Sequence, residues 1–133
     1  MLKKYKKKIL LGLVAASMIF SVTTVVHAEP FAVTVTKLKD GESTEVKKLA
    51  NHSKAQAVVS SMNVNSTYIM WVEKTSTGTN VTNSKEFSSP GTFTMTYNKP
   101  VYASDTYSAR LNISTVITNF STATIEGTWT PNH

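Results

Sequence analysis

Between residues 92 and 97 the chain reads Thr-Phe-Thr-Met-Thr-Tyr, a strict alternation of hydroxyl and large apolar side chains. A period of two puts Phe93, Met95 and Tyr97 on one side of an extended strand and Thr92, Thr94 and Thr96 on the other, which no helix reproduces. The same rule recurs along the chain. Phe31, Val33 and Val35 alternate with Ala32, Thr34 and Thr36. Tyr107, Ala109, Leu111, Ile113 and Ile117 share one parity, with Ser108, Arg110, Asn112 and Ser114 on the other. Ala123, Ile125, Gly127 and Trp129 oppose Thr122, Thr124, Glu126 and Thr128. Residues 68–72, Tyr-Ile-Met-Trp-Val, are apolar on both faces and predict a central strand or one with a covered outer face. Turn signals separate these runs about every 8 to 12 residues, so the expected fold is all-β: an antiparallel β-sandwich of roughly seven or eight strands, immunoglobulin-like or jelly-roll-like. Asp40-Gly41 predicts a tight hairpin joining residues 31–38 to residues 44–49. Residues 44–58 read equally as strand or as a short helix, Ser88-Ser89-Pro90-Gly91 is the clearest break, and residues 101–106 are expected as a loop or edge.

The 133 residues include 14 Lys and Arg against 8 Asp and Glu. Five of the lysines, Lys3, Lys4, Lys6, Lys7 and Lys8, precede an apolar run over residues 9–20, and Val26-His27-Ala28 offers the small-residue pattern of a cleavage site. A signal peptide over residues 1–28, helical and cut between Ala28 and Glu29, is therefore expected, with residues 29–133 forming one domain. So dense a lysine cluster resembles in style the export signals of Gram-positive bacteria. Without the leader, nine Lys and Arg face eight Asp and Glu, a formal charge of +1. Nucleic-acid binding loses its electrostatic basis at that charge. The expectation is a freely secreted protein that meets the membrane only transiently, through its leader; an uncleaved leader would tether it.

The chain has no cysteine, which excludes disulfides, thiolate nucleophiles and Cys-ligated metals together. Beyond the leader only His52 and His133 are present, and neither lies in a ligand-spaced motif, so no metal and no cofactor is expected. There is no G-x-S-x-G elbow to place a nucleophilic serine. Glu73, Glu86, Asp105 and Glu126 are the carboxylates that a glycosidase pair would need, but each reads as outward and solvated. Lys37 shares the inward parity of Phe31, Val33 and Val35, the one hint of a lysine–asparagine cross-link. The repeated Thr-x-Thr pattern reads as ordinary exposed sheet face.

Recognition is the chemistry left open. Ile69 and Trp71 oppose the parity of Tyr68, Met70 and Val72, so one of the two sets faces away from a two-layer core. An outward Trp71 would make a platform for a sugar or a protein. Tyr102 and Tyr107 flank the loop that follows Pro100 and could add contacts. The expected function is that of a small secreted binding protein, not an enzyme, whose partner is a protein, a carbohydrate or another envelope component. A secreted bacteriocin or toxin-like polypeptide, or its immunity factor, is the second class that fits the same size and composition. Oligomeric state is not encoded in any local pattern.

Overall fold

A computed structural model of the protein describes residues 28–99, 104–116 and 122–133. Among them lie ten strands: β1 (Glu29–Val35), β2 (Gly41–Glu42), β3 (Val46–Lys48), β4 (Lys54–Met62), β5 (Tyr68–Lys74), β6 (Thr79–Asn80), β7 (Lys85–Phe87), β8 (Gly91–Thr96), β9 (Tyr107–Thr115) and β10 (Ala123–Thr130). The protein is all-β, with two antiparallel sheets. One runs β1-β10-β4-β8; the other runs β2-β9-β5-β6, with β3 beside β9 and β7 beside β5. β2 with β3, and β6 with β7, each act as one interrupted strand, so ten segments fill eight positions. Four pairs are nested in chain order: β1 with β10, β2/β3 with β9, β4 with β8, and β5 with β6/β7. Residues 1–27 of the expected leader, with its expected helix, together with Tyr102 and Ile117, lie outside the described residues.

Alternation carries the core. Phe31, Val33 and Val35 of β1, Ala55, Ala57 and Val59 of β4, Met95 of β8 and Ala123, Ile125 and Trp129 of β10 are buried on the inner face of the first sheet. Tyr68, Met70 and Val72 of β5 and Tyr107, Ala109, Leu111 and Ile113 of β9 are buried on that of the second, and all join one hydrophobic cluster. Tyr68 stacks on Phe87 with ring centroids 5.6 Å apart, and Phe87 meets Phe93 at 5.2 Å. A bulge on β4 leaves Ser60 between the two residues that face Glu126 and Gly127. Ser60 uses its extra freedom to donate to the Glu126 carbonyl at 3.1 Å.

One local expectation is corrected and two open readings are resolved. Asp40-Gly41 does not close a hairpin: β1 pairs with β10, while β2 and β3 cross to β9 in the other sheet. Gly41 serves close approach, since a Cβ there would lie 2.8 Å from Val33 Cβ and 2.9 Å from the Thr34 carbonyl oxygen. Residues 44–58 resolve as strand on both sides of a turn at Ala50-Asn51, where Asn51 adopts φ 69°. Lys37 is exposed. β1 ends at Val35 because the Thr36 hydroxyl accepts the Leu38 and Lys39 amides, so strand parity lapses before Lys37 and the cross-link loses its geometric basis.

The C-terminal residues tie the sheets together. Tyr97 donates its hydroxyl to the Pro131 carbonyl at 2.7 Å. Asn132 accepts the Leu49 amide at 2.6 Å and donates to the Lys47 carbonyl at 2.9 Å, which brings the end of the chain against β3. Beneath this closure Lys48 is wholly buried. Its ammonium donates to the carbonyls of Leu49 at 3.0 Å and Asp105 at 3.3 Å and sits 4.8 Å and 5.8 Å from the ring centroids of Tyr97 and Tyr107. Desolvation holds the Lys48 ammonium below its ordinary pKa, against the opposing attraction of Asp105.

Candidate functional site

The outer face of the second sheet is where burial departs from a simple in–out pattern. Tyr68, Met70 and Val72 are fully buried, which turns Ile69, Trp71 and Glu73 of β5 outward, where all three are half-buried. β9 lies alongside with Ile69 opposite Ser114, Trp71 opposite Asn112 and Glu73 opposite Arg110. On the far side of β9, Glu42 of β2 is in register with Asn112. Cross-strand pairs of this kind bring side chains within contact distance whatever their separation in sequence.

A charged network fixes the geometry. The Trp71 indole N–H donates to Glu73 Oε2 at 3.1 Å. Arg110 donates from Nη2 to Glu73 Oε1 at 3.5 Å and sets Nη1 3.4 Å from Glu42 Oε1. Arg110 is thus held between two carboxylates, and Glu73 between an indole and a guanidinium. The Arg110 and Glu73 side chains are 27% and 15% exposed, so the pair is screened less than a fully solvated one. Each constraint removes rotamer freedom from Trp71, leaving a ring of defined orientation on the surface.

Asn112 is the unexpected member. It stands on the outer parity yet is 1% exposed, and its Nδ2 has no hydrogen-bond partner. Arg110 Nε on the same face is likewise buried without a partner. A buried donor left unmade carries a desolvation penalty of about 1 to 3 kcal/mol.

Of the four residues singled out from the sequence, Trp71 and Ile69 share this face. Tyr107 does not: it is buried on the inner side of β9, with Lys48 near its ring and the Lys74 ammonium 5.3 Å from its centroid. Tyr102 lies outside the described residues. Of the four carboxylates weighed for hydrolysis, only Glu73 enters the network. Glu86 and Glu126 are exposed, and the Asp105 carbonyl receives Lys48. No group of three metal-capable side chains occurs among the described residues. Glu42, Arg110 and Asn112 escaped sequence reasoning as site residues. The parity of Arg110 and Asn112 was readable, but the register that seats them on this face pairs Arg110 with Glu73, 37 residues away in the chain.

Compared against protein-family models, curated proteins and solved structures, the chain matches none.

Proposed function

We propose that this is an exported, non-enzymatic binding protein, built as a β-sandwich, that meets a carbohydrate, another envelope component or a protein through the outer face of its second sheet. The observation that carries the reading is the orientation of Trp71: a half-exposed indole pinned by Glu73 beside Arg110, on a face whose neighbours are polar. Large aromatic side chains held in one rotamer give much contact area for little entropy loss, which is what a recognition surface requires. Export is supported by the lysine-rich leader and by the start of β1 at Glu29, the residue that follows the expected cleavage point.

The sandwich is of the jelly-roll type in this proposal. Counting each interrupted strand once, the sheets read 1-8-3-6 and 2-7-4-5, the order produced when a long antiparallel hairpin of four nested pairs is rolled on itself. An immunoglobulin wrap has its last strand at a sheet edge beside the sixth, whereas here β10 lies between β1 and β4.

The test is retention on isolated cell envelopes of the producing organism. Trp71→Ala should weaken retention by about tenfold or more, the range of a central aromatic anchor. Because Trp71 is only partly exposed and its indole N–H is bonded to Glu73, stability should fall by about 1 to 3 kcal/mol, so retention is compared on a variant shown to be folded. Unchanged retention of a folded variant would remove Trp71 from the function.

A further inference from the structure

We infer that the Trp71 face takes an uncharged pyranose sugar, a neutral oligosaccharide with one ring seated on the indole; this rests on the proposed role of that face. A pyranose presents an apolar C–H side and a rim of hydroxyls, each of which both donates and accepts. The face offers the complement. Trp71 and Ile69 give apolar area, Glu73 and Glu42 accept, and the Arg110 guanidinium donates.

Asn112 is the independent observation. Its amide, 1% exposed and without a partner at Nδ2, lies on the floor of this face directly across from Trp71. A hydroxyl oxygen reaching that floor would satisfy a donor that the protein leaves unmade.

Charge selects among envelope polymers. By register the face carries Glu42, Glu73 and Glu86 against Arg110 and Lys47, an excess of one negative charge, which disfavours phosphate- or uronate-bearing chains. A protein partner fits less well, because protein interfaces are depleted of charge at their core, where this face has its ion pairs.

Isothermal titration of the purified protein with cellotetraose, maltotetraose and chitotetraose, and with poly(glycerol phosphate) as the anionic arm, tests the inference. Saturable binding to at least one neutral tetrasaccharide is expected, weakened about tenfold or more by Trp71→Ala and by Glu73→Gln. Asn112→Val should weaken it as well while raising the melting temperature of the free protein, because the variant deletes the unmade donor; a purely structural asparagine would give a lower melting temperature. Three results would overturn the inference: no heat with any neutral sugar, binding to poly(glycerol phosphate) alone, or affinities indifferent to both Trp71→Ala and Glu73→Gln. If no sugar binds yet Trp71→Ala still abolishes envelope retention, the sugar is wrong and the binding face stands. If neither effect is seen, both fall.

Discussion

Gly127→Ala is expected to destabilise the protein by about 4 kcal/mol or more, a large share of the 5 to 15 kcal/mol that holds a typical domain folded. Gly127 lies in β10, between Phe31 of β1 and Val59 of β4. A Cβ built there falls onto the Val58 carbonyl oxygen, with Val58 C at 2.9 Å and Val59 Cα at 3.0 Å. All three are backbone atoms, so no rotamer change relieves the overlap. β4 would have to retreat and break its ladder with β10 in the middle of the sheet. Gly78→Ala is the control, because Gly78 adopts φ 67° in the turn after β5 and a Cβ there meets nothing within 4 Å. Its penalty is conformational alone, about 1 to 2 kcal/mol. Urea unfolding of both variants measures the contrast; equal midpoints would show that β10 and β4 are not packed as closely as described.

Lys48→Ala should lose about 3 to 5 kcal/mol. It removes a wholly buried aliphatic stem, and it strips donors from the Leu49 and Asp105 carbonyls and a cation from beside the rings of Tyr97 and Tyr107. Lys48→Met keeps most of the volume and relieves a desolvated charge, so its loss should be nearer 1 to 2 kcal/mol, roughly that of the orphaned carbonyls. The pH profile gives a second readout. Because the folded pKa of Lys48 is lowered from 10.5, the unfolded chain binds more protons between the two values, and stability rises with pH across that window. Tyr97 is opposite: burial first, and Tyr107 second, raise its pKa from 10.0, and burial likewise raises that of Tyr68. The folded state keeps phenolic protons that the unfolded chain releases above about pH 10, so stability then falls. Lys48→Met should abolish the rise and preserve the fall. A rise that survives in Lys48→Met would assign it to another group.

These two residues also show what the sequence could reveal and what it could not. Strand parity is a local property, so Ile125 and Trp129 read as one face, which is buried, and Trp71 as opposed to Met70. The pairing of strands is not local. Asp40-Gly41 carries a sound hairpin signal, yet β1 pairs with β10 and β2 with β9, and Val33 and Val35 are buried in that arrangement. The same gap hid the bulge at Ser60, without which the close approach at Gly127 has no visible cause. It also hid the burial of Lys48, whose type predicts solvent and whose position beneath Asn132 and Tyr97 depends on the far end of the chain. At the site, Trp71 was legible as an outward aromatic. Its partners were not, because Glu42, Arg110 and Asn112 arrive through the register of β2, β9 and β5.

The central claim is that recognition occurs on the outer face of the second sheet, and side-chain oxidation footprinting tests it most directly. The protein has two tryptophans, Trp71 half-exposed and Trp129 1% exposed, so the second is an internal reference in the same experiment. Hydroxyl radicals should modify Trp71 readily in the free protein and much less on isolated cell envelopes, with Trp129 unreactive in both. Undiminished oxidation of Trp71 on envelopes that retain the protein, with protection appearing instead on the outer face of β8, where Thr92, Thr94 and Thr96 lie, would contradict the account.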